Sequence, residues 1–275
     1  MGKSSKWGII VLSLVIISMT FHTEAVYSKS NQPKVVFKDR FNDGKLDKKN
    51  WSYLESTYYN HEKAYYSPKN VKEKEGHLIF TAERNKNNPD KKPFISGAVQ
   101  SKKAFRYGRV VARMKLPVGQ GYWPAFWLLP KKDTYGTWPA SGEIDIMEAR
   151  GQDNNLITGT LHFGKPDLES ENASTFVEAN KRLKTTFGKW HTYSVEWSPK
   201  AIKWLVDGKV YHTQTKWYSA KPNGKKYPSP APFDQKFYVI MNLTVGGDYV
   251  DDQLPTKKSG QMLIDYVKVT STYKQ

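Results

Sequence analysis

The chain has 275 residues, 43 Lys+Arg against 26 Asp+Glu for a net charge of +17, and no cysteine. Disulfides, thiolate metal sites and cysteine nucleophiles are thereby excluded, and 14% aromatic content with nine Trp and seventeen Tyr excludes a disordered chain. The charge suits nucleic acid, a membrane surface or an anionic polymer, but the lysine pairs are scattered (48–49, 91–92, 102–103, 131–132, 225–226, 257–258). With no continuous basic helix and no reader motif, nucleic acid is not an expected partner.

Residues 1–25 read as an export signal. Lys3 and Lys6 precede an apolar run from Gly8 to Phe21, and Thr23 and Ala25 suit the cleavage positions, with a later register ending at 28. That run is shorter than the roughly 20 residues of a permanent membrane span, so a secreted, extracellular protein is expected. Cleavage would take away Lys3, Lys6 and Glu24, a change of one charge. Residues 26–33 read as a flexible lead-in and 34–275 as one catalytic domain.

From residue 34 onward the hydrophobic period is two. Strands are expected at 34–38, 77–83, 95–103 and 109–116, the last with Val110, Ala112, Met114 and Leu116 on one face. Others follow at 123–129, 142–149, 156–163 and 192–197. Strands 201–206 and 209–213 flank Asp207-Gly208, the dipeptide of a tight hairpin, and 236–243 and 261–270 complete the set. Gly/Pro/Asn/Lys clusters such as 85–93 and 219–233 separate them. Many strands without amphipathic helices predict an all-β fold, a two-sheet antiparallel jelly-roll sandwich.

The chemistry concentrates in Ser141-Gly-Glu-Ile-Asp-Ile-Met-Glu-Ala-Arg-Gly151. Glu143 and Asp145 share one face of a strand. In a regular strand Glu148 would point into the core, where an unpaired carboxylate is costly. A one-residue bulge near Met147 returns it to the face of the other two. Retaining glycoside hydrolysis needs two such carboxyls, one nucleophile and one proton donor, with environments that separate their pKa values. Trp123, Trp127 and Trp138 lie within 25 residues of the acids, and indole faces stack on sugar rings. Asp265 shares a face with Leu263, Val267 and Val269, so it must be paired, hydrogen-bonded or bound to a cation.

Glu143-x-Asp145-x-x-Glu148, with Trp-Pro-Ala-Ser-Gly before it and Ala-Arg-Gly after it, resembles glycoside hydrolase family sixteen in its bulged, laminarinase-like branch. The likeness extends through Tyr66–Asn70, Tyr107–Pro117, Gly159–Gly164, Trp190–Trp197 and Met241–Gly247. It implies a concanavalin-like jelly roll with a substrate cleft on the concave sheet. Glu143 would be the nucleophile, Glu148 the acid/base and Asp145 the residue that tunes the nucleophile. It implies glycone subsites lined by Trp123, Trp127 and Trp138, with Asn70 and Arg109 as further binding candidates. His162 would meet the acid/base or the leaving sugar, and Asn242 would bind sugar or pack the sheet. Members often carry a structural calcium ion, here through Asp265 and the Gly76 carbonyl, with a salt bridge from Lys or Arg as the other reading of Asp265. No cofactor is implied for catalysis. The expected activity is endo-hydrolysis of β-1,3 or mixed β-1,3-1,4 glucan by a monomer, with a galactan hydrolase and a non-catalytic glucan-binding protein as alternatives. Lys165–Glu171 departs from the Gly-Pro-Trp stretch of many laminarinases, which puts the leaving-sugar contacts in question.

Overall fold

The computed structural model describes residues 1–2, 32–55, 60–87, 92–166, 175–273 and 275. The expected export signal and lead-in fall almost entirely on residues outside this set, as does most of Lys165–Glu171.

The described strands are, in chain order, β1 (Lys34–Asp39), β2 (Trp51–Tyr53), β3 (Ala64–Tyr66), β4 (Val71–Lys74), β5 (His77–Arg84), β6 (Phe94–Ser96), β7 (Ala98–Phe105), β8 (Gly108–Lys115) and β9 (Tyr122–Pro130). They continue with β10 (Glu143–Ala149), β11 (Leu156–Phe163), β12 (Thr175–Arg182), β13 (His191–Trp197), β14 (Ile202–Val206), β15 (Lys209–Gln214), β16 (Phe237–Val245) and β17 (Ser259–Ser271). The helical elements among the described residues are two single 3-10 turns, Pro68–Asn70 and Asp248–Val250.

One sheet runs β15-β14-β13-β8-β17-β5-β6-β3, with β1 added on β17 and β4 on β5; the other runs β12-β11-β10-β9-β16-β7-β2. Pairing is antiparallel except for β3 with β6. The core lies between the sheets. Ala112 and Met114 of β8, Tyr193 and Val195 of β13, and Val267 and Val269 of β17 meet Phe126 and Leu128 of β9 and Ile144 of β10 there. The Asp207-Gly208 hairpin forms as expected, with φ of 49° and 75° at its two residues.

β9 is buried on both faces. Tyr122, Phe126 and Leu128 enter the core, whereas Ala125 and Trp127 form a separate apolar cluster with Ile240. That second face belongs to the outer side of the seven-stranded sheet, where the site is built. Strand period two thus supplies the core and the floor of the site from one segment.

The bulge in β10 is where the alternation demands it. Asp145 pairs with Thr160 and Glu148 with Thr158, so Ile146 and Met147 together oppose Gly159. Ile146 and Met147 both turn into the core, at 1% and 0% exposure, which returns Glu148 to the acidic face. The bulge is held from below. Trp204 of β14, in the opposite sheet, crosses the core and donates its indole N–H to the Asp145 carbonyl at 2.8 Å. A bulge disturbs the local ladder, and a buried carbonyl needs a donor. Gly159 makes room for this, because a Cβ there would overlap Trp204 at Cδ1 and Nε1.

Gly159→Ala should therefore drive Trp204 off the Asp145 carbonyl. Overpacking and a lost buried hydrogen bond together cost about 2–4 kcal/mol. Thermal unfolding is expected to show a Tm lower by roughly 5–15 °C, with activity lost well below the new Tm; a wild-type Tm would mean that Trp204 does not support the bulge.

Candidate active site

Three neighbouring elements position the acids. β10 carries Glu143, Asp145 and Glu148; β9 places Trp127 opposite Asp145; and β11 places His162 opposite Glu143. Each glutamate accepts a hydrogen bond from a different indole. Trp138 Nε1 donates to Glu143 Oε2 at 2.8 Å, and Trp123 Nε1 donates to Glu148 Oε1 at 2.9 Å. Asp145, 3% exposed, shares a hydrogen bond with Glu143. His162 Nε2 approaches Asp145 Oδ2 at 3.4 Å, an ion-pair distance without hydrogen-bond geometry.

Burial raises the proton affinity of all three acids. Glu143 is pushed up to about 8, by desolvation first and then by the Asp145 charge, against opposing contributions from His162 and the Trp138 N–H. Glu148 is pushed up to about 7 by desolvation, with the Trp123 N–H and His162 opposing. Asp145 rises well above the ordinary carboxylate range through desolvation and the charge of Glu148. The cluster therefore keeps protons at neutral pH that free carboxylic acids would have lost. Asp145 is the most enclosed of the three, and in the hydrogen bond it shares with Glu143 it is the acceptor. Glu143 and Glu148 each face an indole N–H and His162, which favour their charged forms.

The tryptophans differ from one another. Trp138 is 38% exposed, whereas Trp123 and Trp127 are 8% and 9% exposed. Trp138 offers an open ring face; the other two act mainly through their N–H groups and by flooring the site. Asn242, 4% exposed, takes the sheet-packing role. Its Oδ1 accepts from Trp127 Nε1 at 2.8 Å, and its Nδ2 donates to the Tyr66 hydroxyl at 3.1 Å. Tyr66 and Thr244 in turn donate to Glu62 Oε2, each at 2.9 Å. Glu62 and Tyr66 thus anchor the floor of the site, and neither is apparent from the sequence, because their partners lie more than 170 residues away in Asn242 and Thr244.

His162 stands between two aromatic rings. Trp138 is 5.4 Å from it on one side and Phe176 of β12 is 6.0 Å from it on the other. Phe176, 57% exposed, pairs with His162 in register. It escaped sequence reading because β12, Thr-Phe-Val-Glu-Ala-Asn-Lys-Arg, carries too many polar residues to stand out as a strand.

Two expected binding residues lie elsewhere. Arg109 is on β8, in the ten-stranded sheet, and strand alternation sets it on the face opposite Ala112 and Met114, away from the core and hence from the acids. Its guanidinium donates to Ser194 Oγ at 3.3 Å. Asn70 is buried, and its amide nitrogen donates to the Thr81 carbonyl and to Glu83 of β5, at 2.8 and 3.0 Å; it ties the start of β4 to β5.

Asp265 takes the salt-bridged one of its two readings. A bulge between Ile264 and Tyr266 changes the facing of β17, so the residue leaves the apolar row and is partly exposed. Arg113 Nη1 lies 2.7 Å from Asp265 Oδ2, and a guanidinium in that place does not fit a carboxylate that ligates calcium. Gly76, at φ 74°, completes the turn between β4 and β5 with open space around it. Donor atoms of Glu143, Asp145 and His162 lie within 4.8 Å of one another. That geometry could hold a cation, although hydrolysis through two carboxyls requires none.

Two acids on one ridge, each accepting a hydrogen bond from an indole, are the machinery of a glycoside hydrolase. The sandwich fold places them on the outer face of the sheet, where a polysaccharide can lie. The chain belongs to glycosyl hydrolases family 16, whose family model matches residues 58–268. It is 38% identical over 261 residues to glucan endo-1,3-beta-glucosidase A1 of Niallia circulans, a match covering 86% of this chain and 37% of that one. It is 36% identical over 225 residues to a glucan endo-1,3-beta-glucosidase of Cryptopygus antarcticus, over 78% of this chain and 80% of that one. The laminarinase catalytic domain of Thermotoga maritima MSB8 superposes with a TM-score of 0.74 at 28% identity, over 88% of this chain and 100% of the domain. The chain thus spans little more than a third of the Niallia circulans enzyme's length.

Two outcomes follow for stability. Glu143 titrates at about 8 in the fold but at about 4.3 in an unfolded chain, so the folded state binds more protons between those values. Stability from this group is complete at low pH and lost as pH rises toward 8. Glu143→Gln cannot ionise, and its Tm should match the wild type near pH 4 and exceed it at pH 9; a variant less stable at pH 9 would contradict the assigned burial. Because Arg113 answers Asp265, chelator should leave the wild-type Tm unchanged, and a fall of several degrees would restore a structural metal.

Proposed function

We propose that the chain is a secreted endo-β-glucanase that cleaves internal β-1,3 linkages with retention of configuration, and mixed β-1,3-1,4 glucan as a second substrate. The observation that carries this reading is the bulged β10, which sets Glu143, Asp145 and Glu148 on one face with an indole N–H on each glutamate. The names of the Niallia circulans and Cryptopygus antarcticus relatives support the linkage. Export rests on residues 1–25 of the sequence. Among the described residues, no helix is long and apolar enough to cross a membrane.

Glu143 attacks the anomeric carbon, and the bond to the leaving oxygen breaks as Glu148 delivers its proton to that oxygen. Glu148 then takes a proton from water, which attacks the glycosyl–Glu143 ester and regenerates the carboxylate. Asp145, which shares a hydrogen bond with Glu143, orients and tunes the nucleophile. The open face of Trp138 stacks on a sugar ring beside the nucleophile. The substrate is a neutral β-glucan and the working form is a monomer.

On laminarin, kcat/KM should follow a bell, limited at low pH by protonation of Glu143 and at high pH by loss of the Glu148 proton, with both limbs above the ordinary carboxylate range because burial raises both groups. Glu143→Gln should abolish turnover with the fold intact. Glu148→Ala should be nearly inactive on laminarin yet retain glycosylation by an activated aryl glycoside, whose leaving group needs no proton, and azide should accelerate it to a β-glycosyl azide. Proton NMR of wild-type hydrolysis should show the β-anomer first. An initial α-anomer would overturn the assignment of both glutamates, and greater turnover of agar or carrageenan than of laminarin would overturn the substrate.

A further inference from the structure

The turn that follows β16 brings one aromatic ring to the back of the site. Gly246 and Gly247 lead into the 3-10 turn Asp248–Val250, and the backbone there is fixed by Gly246 N–H to the Gly121 carbonyl at 3.0 Å and Asp248 N–H to the Asn60 carbonyl at 3.1 Å. Tyr249 rides on this turn. Its ring centroid lies 4.9 Å from that of Trp123, with the planes tilted 31° apart, within the range of aromatic pairing. The guanidinium carbon of Arg150 sits 4.6 Å from the centre of the same tyrosine ring, within cation–π range. The Tyr249 hydroxyl shares a hydrogen bond with Thr158, the β11 residue paired with Glu148, and Thr158 Oγ1 donates in turn to Asn180 Oδ1 at 2.9 Å. Tyr249 is therefore held by its ring and by its hydroxyl, while Trp123 carries the N–H that bonds Glu148.

We propose that Tyr249 is a positioning residue for the acid/base: its ring, held by Arg150, fixes the plane of the Trp123 indole so that the indole N–H stays on Glu148. This rests on Glu148 being the proton donor of the reaction. A hydrogen bond to a carboxylate favours its charged form, so the bond from Trp123 makes Glu148 a stronger acid than burial alone would leave it. The indole has one rotatable link to the backbone in the direction that matters, χ2, and Tyr249 occupies the space into which it would swing. The charged and titratable groups that also face Glu148 are Glu143 and Asp145 from its own strand, His162 from β11, Glu178 from β12, and the phenol of Tyr249 itself. Of these only the Tyr249 phenol is lost with the ring, and Tyr249→Phe isolates its effect, so a change in the pH profile of Tyr249→Leu beyond that of Tyr249→Phe reports on the indole.

The test is the pH dependence of kcat/KM on laminarin for Trp123→Phe, Tyr249→Leu, Tyr249→Phe and the double variant Trp123→Phe/Tyr249→Leu. Trp123→Phe removes the donor outright and should move the alkaline limb upward by about half a pH unit or more. Tyr249→Leu should move it in the same direction, and the double variant no further than Trp123→Phe alone, because both act through one bond. Tyr249→Phe keeps the ring and should retain the wild-type limb. Should Tyr249→Leu fail to fold by circular dichroism, Arg150→Gln loosens the same ring and should give a smaller shift of the same sign. A limb that stays at its wild-type position in Tyr249→Leu, or in Arg150→Gln, overturns the proposal even if activity falls, since packing alone lowers activity without moving the limb. Shifts that add in the double variant overturn it as well. Failure of the underlying assignment of Glu148 would show differently, as an alkaline limb that persists in Glu148→Ala on an activated aryl glycoside.

Discussion

One buried hydrogen bond, from the indole of Trp204 to the carbonyl of Asp145, is the constraint on which the site depends. A strand that must show three acids on one face across six residues has to break its own alternation once. The break frees backbone groups that the sheet can no longer pair. By placing a donor from the opposite sheet under that break, the fold makes an irregular ladder tolerable in a dry interior. Gly159 is the complementary half of the arrangement, since only a residue without a Cβ lets the indole come that close. The site is thus supported through the core, by packing between the two sheets, and not by loops at the surface.

The same economy governs the proton chemistry. Three carboxyls packed together in a half-dry ridge resist ionising together. The indoles of Trp138 and Trp123 each stabilise the charged form of one glutamate, while Asp145 has only Glu143 and the distant edge of His162 to turn to. Neutral donors thus offset the effect of burial at both glutamates, alongside the neighbouring charges. Neutral donors are little affected by salt, whereas exposed ion pairs are weakened by it.

How much of this could be read in the amino-acid order depends on the range of each interaction. Alternation within β8, β9 and β10 and the Asp207-Gly208 turn are local, and they announced the sandwich and the hairpin. The Glu-x-Asp-x-x-Glu spacing announced the bulge because a carboxylate in the core is too costly for any other reading. Trp204, Glu62 and Tyr66 were silent, since their meaning lies in partners tens to hundreds of residues away. Asp265 misled because the bulge in its strand falls at that residue, so the inferred apolar row runs out of register after Ile264. Arg109, a binding candidate by family resemblance alone, lies on β8 in the ten-stranded sheet, which no local pattern discloses.

The double burial of β9 divides the molecule into parts with unequal freedom to vary. Residues along that strand answer alternately to the core and to the acids, so none of them is free to vary. β12, by contrast, is an edge strand with a single neighbour, and it reaches the acidic row only through the exposed Phe176 and Glu178. Diversity aimed at new polysaccharides would be best spent there, where changing the surface offered to the sugar leaves the packing beneath the acids untouched.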